Sequence, residues 1–175
     1  MLVLAWGLAG WLPGAWAEEE SALEEKARIL NRQIAFYQEQ LKIKPENPEL
    51  HFSLGTKYYE LGRYFESRAN RVFFTGANQK DLREANQLYD HSIDQLRESL
   101  KLQPRNAGAH FNLSLNYFVK GDGENAIVHM REAEQLFFKL DDKRGVAKAR
   151  KALREWFDRY GYRPEDFGRP AKEGE

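Results

Sequence analysis

Residues 107–138 read AGAHFNLSLNYFVKGDGENAIVHMREAEQLFF. Large apolar residues (Leu113, Tyr117, Met130) alternate with small ones (Ser114, Ala126, Ala133) at helical spacing on both sides of Gly121-Asp122-Gly123. The two glycines and the aspartate end one helix and turn the chain into the next. Small residues let the two helices approach closely, and large ones fill the gap to whatever packs beside them. The stretch is therefore a helical hairpin. Its N-terminal half also has a copy upstream, at an offset of 59 residues. Leu41, Ile43, Pro45 and Asn47 recur as Leu100, Leu102, Pro104 and Asn106. His51, Phe52, Leu54, Tyr58, Tyr59 and Gly62 recur as His110, Phe111, Leu113, Tyr117, Phe118 and Gly121. An internal period of this size is the mark of a repeat architecture.

The pattern resembles the tetratricopeptide repeat, a helix–turn–helix unit of about 34 residues. Leu113, Ser114, Tyr117, Gly121, Ala126, Met130 and Ala133 fall on that family's signature positions, as do Leu54, Gly55 and Tyr58 in the preceding copy. The resemblance covers residues 24–160 and is strongest at 107–133. It implies an all-α chain folded as a short right-handed α-solenoid of TPR-like hairpins. Phe138 stands where the family usually has proline, so the following junction is a continuing helix or a different turn. The offset exceeds one repeat by 25 residues, which reads as a single hairpin lengthened by an insertion. Tyr58, Leu61, Phe65, Ala69 and Val72 keep helical spacing in its ascending arm, and Leu82, Ala85, Tyr89, Ile93 and Leu96 in its descending arm. The tip falls near Thr75-Gly76-Ala77-Asn78. A separate small helix inserted after Gly62 is the alternative.

Upstream, Ser21 to Lys44 reads as one helix that opens on a Ser21/Glu24 capping box and buries Leu30, Ile34, Tyr37 and Leu41. Residues 142–160 read as the last helix, with Val146, Ala149, Leu153, Phe157 and Tyr160 on its apolar side and Gly161 as its stop. Residues 162–175, rich in Pro, Gly and charge, read as a flexible tail. The opening MLVLAWGLAGWLPGAWA carries no charge and ends in Ala15-Trp16-Ala17, the small-x-small pattern of signal-peptidase processing. Pro13 and Gly14 are expected to keep that site extended. Residues 1–17 are thus expected to be a signal peptide cleaved after Ala17, and residues 18–161 the helical domain. The protein is then exported, to the periplasm or cell envelope. An uncleaved membrane anchor is the alternative, since no Lys or Arg precedes the apolar run.

Composition narrows the activity. Twenty-seven basic and 27 acidic residues balance, so no global field draws nucleic acid. Mean hydropathy of −0.74 excludes a polytopic membrane protein. Without cysteine there is no disulfide, thiolate metal site or thiol chemistry. His51 and His110 occupy equivalent repeat positions, too far apart to share a metal, and are expected to pack at the seam between repeats. His91 and His129 have no ligand at tight spacing. No catalytic triad or phosphate loop is present, so neither an enzyme nor a cofactor is expected.

The resemblance implies a concave groove on the first helices of successive repeats, a surface that holds an extended peptide or a partner's helix. Carried onto this chain, the groove positions include Phe52, Thr56, Tyr59, Phe111, Asn112, Leu115 and Phe118. Lys and Asn pairs that clamp a terminal carboxylate in some members are absent except for Asn112. Terminal helices folding over the strip would bury it. A second surface is basic: Lys143, Arg144, Lys148, Lys151 and Arg154 occur with no acid between residues 143 and 154. Such a face meets anionic lipid or an acidic partner. The expected function is an adaptor or assembly factor binding another protein or peptide. The alternatives are a self-assembling subunit and a peripheral membrane or acidic-partner binder.

Overall fold

The computed structural model describes residues 13–71 and 77–167; the leader residues 1–12, residues 72–76 (with Val72, Thr75 and Gly76 of the expected hairpin) and residues 168–175 lie outside them. Six α-helices follow in order: α1 (Pro13–Ile43), α2 (Pro48–Arg71), α3 (Ala77–Leu102), α4 (Ala107–Val119), α5 (Gly123–Lys139) and α6 (Lys143–Tyr160), then a 3-10 turn at Pro164–Phe167. No strand occurs among the described residues. The protein is all-helical, and each helix packs chiefly on its neighbours in the chain.

Helix α1 corrects two expectations. It starts at Pro13 and runs unbroken through Ser21. Ala15-Trp16-Ala17 is therefore helical backbone and not extended, and Ser21 lies inside the helix and is no cap. The fixed φ of proline suits the first helical position. Leu30 and Ile34 are buried against α2, with Tyr37 and Leu41 beside them.

The long hairpin is α2 and α3, packed antiparallel. Small residues set its closeness. A methyl group on Gly55 would come within 2.8 Å of Leu96 Cγ, and one on Gly62 within 2.6 Å of the Tyr89 ring. Ser92 Oγ donates to Gly55 O at 2.7 Å. Near the open end, the Arg68 guanidinium grips Asp81 with two 2.6 Å hydrogen bonds, from Nε to Oδ2 and from Nη2 to Oδ1. Asp81 is only 5% exposed, whereas Leu82, expected in the core, faces solvent at 38%.

The second hairpin, α4 and α5, matches its sequence reading closely. Ser114, Ala126 and Ala133 are fully buried, with Leu113, Tyr117 and Met130 around them. Asp122 caps α5, accepting from Asn125 N, and Gly121 turns with φ 79°. The junction after Phe138 is a different turn: α5 ends at Lys139, Asp141 adopts φ 52°, and Asp142 caps α6 by accepting from Gly145 N.

Two further corrections fall at the C-terminal end. Helix α6 buries Gly145, Ala149, Leu153 and Trp156. Trp156 was not among the expected core residues, and Val146 is only half-buried. Residues 162–167 are not a loose tail. Tyr162 and Phe167 pack on the main core, the Phe167 ring lies 5.9 Å from Phe157, and Arg131 Nη1 donates to Phe167 O at 2.6 Å.

Candidate functional site

The turns into α2 and α4 repeat their chemistry atom for atom. Asn47 Oδ1 accepts from Leu50 N at 3.0 Å, and Asn106 Oδ1 accepts from Ala109 N at 2.9 Å. His51 Nε2 lies 2.8 Å from Pro45 O, and His110 Nε2 lies 3.1 Å from Pro104 O. The two equivalent histidines therefore hold their own turns by hydrogen bonds. To the expected packing at the seam the structure adds a hydrogen bond, in which an imidazole N–H reaches the proline carbonyl six residues back.

These turns aim α2 and α4 side by side and parallel. A methyl on Gly108 would meet the Phe52 ring at 3.1 Å, and Asn112 Nδ2 donates to Thr56 Oγ1 at 2.8 Å. Phe52, Thr56, Tyr59, Phe111, Asn112, Leu115 and Phe118 are all half-buried. Some are already engaged. Tyr59 lies 5.9 Å from Tyr89, and burial raises its phenol pKa above the ordinary value. Phe111 meets Phe137 edge-on at 6.1 Å. Phe118 is covered by α6: it stacks on Trp156 at 4.6 Å, and the Arg159 guanidinium sits 4.9 Å from its centroid. The structure thus joins Phe52, Thr56 and Asn112 across the two helices and places Phe118 against the last helix. Asn112 uses one of its two amide N–H groups in the bond to Thr56.

Sequence reasoning missed one pairing. His110 Nδ1 and His129 Nδ1 are 3.0 Å apart across α4 and α5. With His110 Nε2–H donating to Pro104, His110 Nδ1 is bare and accepts from His129 Nδ1–H. The His129 ring stacks on Tyr117 at 5.6 Å and 6°. Burial, then electrostatic coupling to His110 and Arg97, holds the His129 pKa down to about 4. The available signal was the turn at Gly121, which folds α5 back along α4. Among the described residues, no group of three or more His, Asp or Glu is placed to hold a metal ion.

The basic residues gather at the end of the helix array. Lys143, Arg144, Lys148, Lys151 and Arg154 are all exposed on α6. Beside them, Phe138 is 57% exposed and Leu140 68%. An open groove of about 560 Å³ runs between α6 and the end of α5.

No known family model matches the chain, and no curated protein is significantly similar to it. What the fold defines is an all-helical protein of sequentially packed hairpins, and any narrower reading rests on its own residues.

Proposed function

We propose that this chain is an exported tetratricopeptide-type adaptor, without catalysis of its own, that holds a partner polypeptide against α2 and α4. On this reading the helices form a short right-handed α-solenoid, one hairpin of which is lengthened. The repeated Asn cap and His–carbonyl bond at both turns favour a true structural repeat. The observation that carries the function is the half-buried row Phe52, Thr56, Tyr59 and Leu115 on two parallel helices. A core would enclose these groups, and a solvated face would not gather them. Phe111 and Phe118 contribute less, since Phe137 and Trp156 already cover them. Among the described residues no helix is long and apolar enough to cross a membrane.

The test is capture from envelope extract with the purified chain and with Tyr59→Ser/Leu115→Ser. Central apolar contacts often cost ~2 kcal/mol or more on truncation, roughly thirtyfold in affinity. The expected result is lost capture with unchanged helical circular dichroism. Undiminished capture by a folded double variant overturns the reading. A second reading, self-assembly, is favoured by one feature. Ile29, Phe36 and Ile43 are exposed at seven-residue spacing along α1, at 44%, 57% and 71%. Sedimentation velocity over a concentration series separates the two: a monomer keeps the adaptor, a growing species selects the subunit.

A further inference from the structure

The chain is neutral as a whole, yet α6 is strongly basic. Its 18 residues, KRGVAKARKALREWFDRY, hold seven Lys and Arg against one Glu and one Asp. Lys143, Arg144, Lys148 and Arg154 pair with no carboxylate among the described residues, while Arg150 is tied to Glu134 at 2.6 Å and Lys151 reaches Glu155 only at 3.9 Å. The placement also runs against the helix dipole. The first turn of α6 has Lys143 and Arg144, and only the capping carboxylate of Asp142 offsets them there. The remaining exposed cations leave this face open to an anionic group.

The shape beside these charges is a groove. Phe138, Val146 and Ala147 form its apolar floor, and Lys143, Lys151 and Arg154 its rim. Asp141 closes one end. We propose that this groove docks an acidic amphipathic segment of a partner protein, apolar side chains on the floor and carboxylates against the rim. Cations on both sides of an apolar strip match a segment that carries carboxylates beside apolar side chains. Rim charges chiefly speed association and set specificity, and the apolar floor holds the segment in register. The surface is separate from the row on α2 and α4, so it stands or falls independently of the adaptor reading.

The probe is a synthetic helical peptide with leucines at i, i+3, i+4 and i+7 and glutamates on both flanks. Titration into the full chain is followed by fluorescence anisotropy and by amide chemical shifts. The expected result is binding that perturbs residues 138–154 and weakens as salt rises. Lys143→Glu/Arg154→Glu should weaken it about tenfold or more, and Ala147→Glu should do so by obstructing the floor, with circular dichroism unchanged. These positions are exposed, so the variants should fold. A scrambled peptide of the same composition should bind at least severalfold worse. Equal binding of the scramble would mean charge attraction alone and overturns the proposal. So would vesicles of phosphatidylglycerol and phosphatidylcholine binding where the peptide does not, or self-association of the chain through this face.

Discussion

His129 is held neutral in the folded chain, with a pKa near 4, while the unfolded side chain titrates near 6.5. Between those values the unfolded state binds more protons, so stability rises with pH across that window and is lost as pH falls from 6.5 toward 4. Allowing for the ring's partial exposure, the loss is on the order of 2 kcal/mol. Thermal melts at stepped pH should show the midpoint dropping several degrees over this range. His129→Phe keeps a ring over Tyr117 and has no proton to bind, so its slope should be flatter there. An unchanged slope would mean that the ring is already charged in the fold. Asp81 behaves differently: the Arg68 hydrogen bonds hold its carboxyl below the ordinary value, so its contribution is lost only at lower pH. Neither environment was readable in sequence. Asp81 sits one position before a leucine that fits the apolar period, and only the facing Arg68 makes the acid the buried member.

The α2–α3 hairpin shows what pattern reveals and what it leaves out. Helical spacing gave both arms, and the structure sets their register by seating Gly55 and Gly62 on one arm against Leu96 and Tyr89 on the other. It did not give the clamp near the open end. There the Arg68 fork is backed by the Phe65 ring, whose centroid lies 4.8 Å from the guanidinium carbon. Asp81→Ala should leave that cation without its partner. The expected cost is roughly 2 kcal/mol, below the range for a fully buried pair because Arg68 is partly exposed. Hydrogen exchange should quicken in residues 64–71 and 78–85 while α5 and α6 stay protected. Uniform loss of protection would show the hairpin and the rest melting as one unit. The helix start at Pro13 was equally hidden. A capping pattern at Ser21 competes on paper with a proline eight residues earlier, and local signals do not rank them.

At the scale of the whole molecule, the C-terminal end departs furthest from its composition. Residues 162–167 look like tail, yet two rings among them decide their place. Tyr162 and Phe167 meet at 5.3 Å, edge to face, over the end of α6. Ending the chain after Gly161 should therefore uncover Phe157 and lower the thermal midpoint by a few degrees. A truncated chain as stable as the full one would show that these rings contribute nothing net. The apolar side of α6 was legible at Ala149, Leu153, Phe157 and Tyr160, all in or against the main core, while Trp156 was missed because only the neighbouring Phe118 gives its ring an inward place. The candidate row on α2 and α4 was legible as positions, while its partial cover by Phe137 and Trp156 depends on tertiary packing. The chain-neighbour packing of the helices has a kinetic consequence. Contacts between residues close in sequence close small loops, so little entropy is lost before contacts form. The array should fold quickly and in pieces, each hairpin ordering as it is synthesised, without waiting for the far end of the chain.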